Sequence, residues 1–146
     1  MRKRPGFTLI ELLVVIAILG LLSTIITVAM GQARLKARDS KRMADLKQIQ
    51  TALELYYTDQ NSYPAGSAAQ LGTGNYACLT RIGFLPLSSG CAEAYMGSVP
   101  TDPNRNVYYI YTVASGTYSV ATQLEGNVNG LTGNIQLTPS GIGPRP

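Results

Sequence analysis

The sequence predicts an α+β fold, in which a long N-terminal helix packs against a small antiparallel sheet of about three strands. Three patterns carry this prediction: a continuous apolar run, a helical spacing of apolar side chains after it, and alternating segments near the C terminus. The 146 residues are enough for one domain. We expect a basic N-terminal segment over residues 1–6 and a membrane-spanning helix over residues 7–33. Its amphipathic continuation is expected over residues 34–58, followed by a globular head with a flexible tail over residues 59–146.

The apolar run covers residues 6–30 and contains one charged side chain, Glu11. Its length is sufficient to cross a bilayer, which requires about 20 apolar residues. A carboxylate at mid-membrane costs about 2.5–3.5 kcal/mol, so we expect Glu11 to have a function. Pro5 and Gly6 separate this run from the basic residues at positions 2–4, because neither continues a regular helix.

The N-terminal segment resembles that of type IV pilins and of type II secretion pseudopilins. The resemblance covers the basic residues, the motif Gly6-Phe7-Thr8-Leu9-Ile10-Glu11 and the apolar run that follows. The resemblance implies that a prepilin peptidase cuts after Gly6 and methylates the new N-terminal residue, Phe7. It also implies that Glu11 pairs with the terminal amine of a neighbouring subunit during filament assembly. Two opposite unit charges about 4 Å apart attract by about 4 kcal/mol at an effective dielectric of 20, which suits that role.

A secretory signal peptide is the alternative interpretation of the N terminus. Gly31 and Ala33 form a small-x-small pattern, which would place a cleavage site after Ala33. The apolar run is longer than the roughly 7–15 residues of a usual signal peptide, and Glu11 lies inside it. These two features favour the filament interpretation over a membrane-tethered or secreted binding module.

The helix is predicted to continue beyond the apolar run to about residue 58. Its apolar side chains are mostly three or four residues apart: Leu35, Met43, Leu46, Ile49, Leu53 and Tyr56. A basic cluster lies on the same stretch: Arg34, Lys36, Arg38, Lys41 and Arg42. We interpret this cluster as a solvated face that pairs with acidic groups of adjacent subunits, rather than as a lipid or DNA site.

Turn-forming residues end the helix. Asp59, Asn61 and Ser62 favour a turn, and Pro64 prevents the helix from resuming. Asp59, Tyr63 and Pro64 are similar to the D-x-x-x-Y-P element of pseudopilins. A second similar element, which opens the sheet in that family, runs from Pro100 through Asp102 and Pro103 to Tyr108.

The C-terminal region shows the strand patterns. Residues 107–113 and 117–124 alternate around Ser115 and Gly116, which predicts a hairpin with a two-residue turn. Residues 135–137 are expected to add a third strand, and the tail from residue 138 to be loose. Short helical turns are expected at residues 68–71 and 92–96. The strand tyrosines are interpreted as packing residues.

Composition excludes several classes of function. The net charge is +4, but three of the twelve basic residues lie at positions 2–4; the rest of the chain has nine basic and eight acidic residues and a net charge of +1. Bulk charge therefore gives no reason to expect nucleic-acid binding. The chain contains no histidine and no G-x-S-x-G motif, and its acidic residues show no paired spacing. We expect no enzyme.

The two cysteines and one acidic turn are the remaining candidate sites. Cys78 and Cys91 follow the membrane span, where a disulfide is expected; a zinc or redox pair would need further ligands or a C-x-x-C spacing. The pseudopilin resemblance raises calcium binding in a C-terminal acidic loop. Glu125, Asn127 and Asn129 are weak candidates because they offer one carboxylate, and no cofactor is otherwise expected.

The resemblance implies a structural function. The chain would be a single-pass protein of the cytoplasmic membrane with its head outside, and after processing it would join a periplasmic or extracellular filament of pilins or pseudopilins. Implied partners are the prepilin peptidase, a membrane platform protein and an assembly ATPase. Secretion, adhesion and DNA uptake remain open as the task of the filament.

Overall fold

A single helix dominates the N-terminal part of the chain. The computed structural model describes residues 6–146, apart from the side chains at positions 28 and 29. Helix α1 covers Leu9–Gln60, 52 residues, and ends two residues beyond the predicted boundary. By internal contacts the chain divides into two units, one ending at Leu35 and the other covering Lys36–Pro146.

Asn61 ends the helix. It adopts the left-handed conformation, with φ 52°, and its N–H donates to the carbonyl of Tyr57 at 2.8 Å. Asparagine tolerates this conformation better than most residues, and the hydrogen bond satisfies one carbonyl of the last turn. Pro64 follows three residues later. The prediction that turn-forming residues before Pro64 end the helix is confirmed.

The second unit contains two antiparallel sheets. The described strands form a five-stranded sheet in the order β1-β5-β6-β7-β8 and a three-stranded sheet in the order β3-β2-β4. Their bounds are Ala69–Gln70 (β1), Cys78–Thr80 (β2), Gly83–Leu85 (β3), Ala94–Met96 (β4), Ile110–Ala114 (β5), Thr117–Val128 (β6), Leu131–Thr138 (β7) and Gly141–Pro144 (β8). The α+β class is confirmed, although the described sheets are larger than the three strands expected.

The central hairpin forms as predicted. Ala114 pairs with Thr117, so Ser115 and Gly116 are the two loop residues between β5 and β6. Both have positive φ, 51° and 76°, as a tight turn that matches the strand twist requires. Glycine at the second position makes this turn accessible at little cost.

Other local predictions were wrong. The tail expected to be loose forms β8, because a two-residue turn at Pro139 and Ser140 lets Gly141 pair with Thr138. The glycine-rich strand has too little apolar alternation to be recognised from sequence. The helical turns expected at 68–71 and 92–96 instead contain the short strands β1 and β4, since pairing with β5 and β2 overrides local propensity.

The core lies between α1 and the five-stranded sheet. The helix contributes the predicted stripe, with Leu46, Ile49 and Leu53 fully or almost fully buried. The sheet and the residue just before β5 contribute side chains that are equally buried: Tyr109, Tyr111, Tyr118, Val120, Ile135 and Leu137. Burial of one such side chain stabilises the fold by about 1.5–3 kcal/mol. The interpretation of the strand tyrosines as packing residues is confirmed.

Candidate functional site

The N-terminal motif forms a helix cap. The Thr8 backbone N–H and hydroxyl both donate to Glu11 Oε2, at 2.8 and 2.6 Å. The Glu11 N–H in turn approaches the Thr8 hydroxyl at 3.4 Å. This is a capping box, in which the first residue before the helix and the third residue within it satisfy each other's polar groups. Gly6 and Phe7 precede the cap and have no regular secondary structure. Residues 1–5, which include the basic residues of the expected leader, lie outside the described chain.

The helix surface after this cap is apolar on all sides. Among residues 7–26, the large apolar side chains expose between 46% and 81% of their surface within the chain itself. The hydroxyls of Ser23, Thr24 and Thr27 donate to helix carbonyls three or four residues earlier. These residues therefore add no unsatisfied donor to the apolar surface. Such a surface is stable only against lipid or other protein.

This segment also meets the requirements for crossing a bilayer. It contains an 18-residue window with a mean hydropathy of 2.8, and α1 is the one helix in the described residues that is long and apolar enough to span a membrane. The expectation of a membrane-spanning helix is thus consistent with its length and composition.

A buried arginine joins the helix to the sheet in the second unit. Arg42 is fully buried, and its Nε and Nη2 atoms donate to the two carboxylate oxygens of Asp102 at 2.7 and 2.8 Å. Its Nη1 atom donates to Asp39 Oδ1 at 2.6 Å and to Glu125 Oε1 at 2.7 Å. The bonds to Asp102, with those to Asp39 and Glu125, raise the pKa of Arg42 further above its ordinary value, so it stays charged.

Asp39 extends this cluster to the backbone of β6. Its carboxylate accepts the N–H groups of Glu125 and Gly126 at 3.0 and 2.7 Å. The pairing of β6 with β7 is irregular between Gln123 and Asn127, so these two N–H groups lie where the regular ladder is interrupted. The cluster of Asp39, Arg42, Asp102 and Glu125 therefore fixes the helix against two separate parts of the head.

The remaining basic residues divide into paired and exposed ones. Arg38 bonds to Glu125 through two atoms, and Lys41 Nζ lies 2.7 Å from Asp45 Oδ2. Arg34 and Lys36 are exposed. The expectation of a solvated face is wrong for Arg42, which is buried among acidic residues of its own chain. Arg38 and Lys41 keep exposed surface but also pair within the chain. Pairing with adjacent subunits stays a prediction.

Of the three calcium candidates, Glu125 belongs to the ion cluster around Arg42, and Asn127 and Asn129 follow it in the chain. The hydrogen bond from Arg38 lowers the pKa of Glu125 to about 2, with a further contribution from Arg42. Asn127 Oδ1 accepts the Gly130 N–H at 3.0 Å within the β6–β7 turn, and Asn129 has a positive φ in that turn. The described residues contain no group of three or more potential metal ligands of the His, Cys, Asp and Glu types. The Glu125 carboxylate is engaged instead by two guanidinium groups, those of Arg38 and Arg42.

Cys78 and Cys91 form a disulfide, as predicted, with their Cα atoms 6.2 Å apart. The bridge connects β2 with the segment that follows the β3 strand and its 3₁₀ turn at Leu87–Ser89. Cys78 is fully buried. The disulfide thus closes the loop between these elements.

Sequence reasoning missed the central role of Arg42 and its acidic partners. One signal was available: Asp39 and Arg42 continue the three-to-four spacing of the buried stripe that begins at Leu46. Two opposite charges on a buried face indicate an internal ion pair. The identity of the distant partners, Asp102 and Glu125, depends on the chain topology and could not be read from spacing.

The structure combines three features: a Gly-Phe motif, an apolar helix after it, and an amphipathic continuation of that helix that packs on an antiparallel sheet. Together they define the structural class of type IV pilins and pseudopilins. Comparisons with known proteins agree. The prokaryotic N-terminal methylation motif matches residues 1–27, and type II secretion system (T2SS) protein G matches residues 29–137. The chain belongs to the T2SS protein G family, which is a family of structural pseudopilins.

Relatives come from both branches of the class. The type IV wide pilus major component PilA4 of Thermus thermophilus is 32% identical over 122 residues, which cover 84% of this chain and 92% of the relative. The type II secretion system core protein G of Vibrio cholerae is 31% identical over 84% of this chain and 81% of its own length. The type II secretion system core protein G of Pseudomonas aeruginosa is 36% identical over 73% of this chain and 72% of its own length. No solved structure matches the chain significantly.

Proposed function

We propose that the protein is made as a membrane-anchored prepilin, is cleaved after Gly6 and methylated at Phe7, and assembles into a filament through residues 7–33. The observation that carries the proposal is the motif from Gly6 to Glu11 at the start of a helix whose first turns are apolar on all sides. Prepilin peptidase, a membrane platform protein and an assembly ATPase are the partners that this pathway requires. Residues 34–58 and 59–146 would form the amphipathic continuation and the head, outside the cytoplasmic membrane.

Glu11 has a defined part in this proposal. Oxygen Oε2 accepts both hydrogen bonds from Thr8, so the carboxylate is held at the start of the helix while Oε1 can accept a further donor. The methylated amine of Phe7 in a neighbouring subunit is a cation of the required kind. In a water-poor filament core, neither charge is stable without the other. This pair would fix the axial register of one subunit on the next.

A secretion pseudopilus is the filament that the family membership supports best, and a type IV pilus is the alternative supported by the wide-pilus relative. A DNA-uptake filament receives less support, because three of the five cluster cations are engaged within the chain. A secreted binding module would leave the apolar helix surface without lipid or protein neighbours, whereas a membrane-tethered module would bury it in lipid alone.

Filament yield tests the proposed role of Glu11. In cells that express the assembly machinery, we expect Glu11→Gln to leave the processed subunit in membranes and to reduce filaments sheared from cells at least tenfold. The matched control is Glu93→Gln, at an exposed acidic position in the head. Immunoblots of the sheared and membrane fractions measure both pools. Normal filament yield from Glu11→Gln would contradict the proposed pairing.

A further inference from the structure

A pocket of about 430 Å³ opens in the second unit, beside the end of α1 and the β2–β3 hairpin. Its size is within the range of about 300–1,000 Å³ that is usual for small-molecule sites. The residues that give it its chemical character are Tyr56, Ser62, Tyr63, Asn75, Tyr76 and Phe84. None of the disulfide, ion cluster or N-terminal motif residues contributes to its lining.

The aromatic walls of this pocket are fixed by their neighbours. The rings of Tyr76 and Phe84 have centroids 5.2 Å apart, and Phe84 packs edge-on against the buried ring of Tyr111 at 5.3 Å. Tyr63 contacts Tyr118 at 4.6 Å, and its hydroxyl donates to Glu54 at 3.2 Å. Because these rings are already ordered, binding a flat ligand against them costs little conformational entropy.

The polar groups of the pocket are neutral. The described residues that line it carry no charged side chain. Asn75 and Ser62 are exposed and present an amide and a hydroxyl. The hydroxyls of Tyr63, Tyr109, Tyr111 and Tyr118 bond within the chain, whereas those of Tyr56 and Tyr76 bond to no part of the described protein. The pocket therefore offers several free neutral donors and acceptors beside aromatic faces.

This combination selects a ligand class. A phosphate, carboxylate or ammonium ligand would lack a charged partner here, and its desolvation would go uncompensated. A purely apolar ligand would leave the amide and hydroxyl groups unpaired. A sugar ring fits both requirements, since one face carries C–H groups and its rim carries hydroxyls. We propose that this pocket binds a neutral saccharide of one or two rings, stacked on the aromatic walls and hydrogen-bonded to Asn75 and the free tyrosine hydroxyls.

The inference does not depend on the proposed function, because the pocket is formed within one chain. It can be tested on the full-length protein in lipid nanodiscs, without the peptidase. Alkyl glycoside detergents are avoided because their head groups would compete for the site. The probes are cellobiose, maltose and N,N′-diacetylchitobiose, and the matched negative probe is sorbitol, which carries hydroxyls but has no ring.

Saturation-transfer NMR from the protein to the sugar protons is the readout, with empty nanodiscs as the blank. We expect saturable binding of at least one disaccharide, with the strongest transfer to the C–H protons of one ring face, and none for sorbitol. Asn75→Ala should weaken binding about fivefold, as loss of one hydrogen bond predicts. Tyr76→Ala should weaken it at least tenfold, because a stacking face is removed. Tyr108→Ala, a partly exposed tyrosine outside the pocket, should have no effect.

Three results would overturn the inference. One is the absence of saturable binding to all three disaccharides. Another is binding that is the same in Asn75→Ala and Tyr76→Ala as in the unaltered chain. The third is protection of the pocket from hydrogen exchange that grows with protein concentration in the absence of sugar, since this would assign the pocket to a contact with a second copy. Tyr76→Ala removes a ring that packs on Phe84 and so could change the pocket wall itself. Asn75→Ala is at an exposed position, and it tests the site without that change.

Discussion

Arg42 and Asp102, sixty residues apart in the chain, form a bidentate ion pair in which neither side chain has exposed surface. Asp39 and Glu125 complete the hydrogen bonding of the same guanidinium. A buried pair of this kind adds little net stability over apolar residues of equal size, but breaking it leaves an uncompensated charge. We expect the cluster to fix how the helix and the head loops fit together.

Arg42→Met is the direct test of this cluster. It removes the cation and leaves two buried carboxylates, Asp39 and Asp102, without their shared partner. We expect the head to lose about 3–5 kcal/mol of unfolding free energy. Urea unfolding of the full-length chain in nanodiscs, followed by the near-UV circular dichroism of the tyrosines, measures this loss.

Lys36→Met is the matched control for that measurement. Lys36 is an exposed cation six residues earlier on the same helix, and its replacement should change stability by less than about 0.5 kcal/mol. Equal stabilities for the two variants would show that the Arg42 cluster does not hold the head together.

Glu125 makes the stability of the head depend on pH in the acid range. Its pKa is lowered from 4.5 to about 2 in the folded chain, so its pairing contributes fully above about pH 4.5 and is lost as the pH falls towards 2. Glu125→Gln should remove this part of the pH dependence and lower stability at pH 6 by about 1 kcal/mol, since Glu125 is partly exposed. Unfolding curves between pH 2 and 7 compare it with Glu93→Gln. Parallel pH profiles for the two variants would refute the assignment.

Gly66 permits the close approach of a buried tyrosine. A Cβ atom at this position would lie 2.4 Å from Cδ1 of Tyr111, whose hydroxyl donates to the Pro64 carbonyl at 2.6 Å. Because that ring is held at both ends, we expect Gly66→Ala to destabilise the head by about 1–3 kcal/mol. Gly97→Ala is the control, since a Cβ there meets nothing within 4 Å. A shift in the thermal midpoint of Gly97→Ala as large as that of Gly66→Ala would contradict this explanation.

The disulfide should stabilise the head by restricting the unfolded chain. Cys78 and Cys91 are 13 residues apart, for which the chain-entropy estimate is about 3 kcal/mol. We expect Cys91→Ala to lose most of this amount and to be insensitive to reductant. Thermal unfolding of both chains is measured with and without dithiothreitol. Reductant should lower the unfolding midpoint of the unaltered chain only, which separates loss of the disulfide from any other effect of the substitution. No response of the unaltered chain to reductant would contradict a stabilising role.

Regular patterns made most of the fold predictable. The stripe from Leu46 to Tyr56 and the turn at Ser115 and Gly116 are local signals, and both were confirmed. Strand β8 was missed because its glycine-rich sequence lacks apolar alternation. The strands β1 and β4 were missed because each is short and is stabilised by pairing with a strand distant in the sequence. For the same reason Arg42 was assigned to a solvated face: its buried environment is created by Asp102 and Glu125, which only the folded topology brings together.

For the N-terminal motif, in contrast, the sequence is more informative than the structure. The sequence from Gly6 to Glu11 carries nearly all the information about the proposed processing, and the structure adds the capping bonds between Thr8 and Glu11. The pocket beside Tyr76 had no sequence signal, because its lining residues come from the helix end, a turn and a hairpin.

The most direct test of the filament proposal is the N terminus of the protein in membranes of cells with and without a prepilin peptidase. Intact mass and N-terminal peptide sequencing identify the first residue and its modification. We predict a chain that begins at N-methylated Phe7 when the peptidase is present and at Met1 when it is absent. A chain that begins at Met1 in both cases, or at Arg34, would contradict the proposed function.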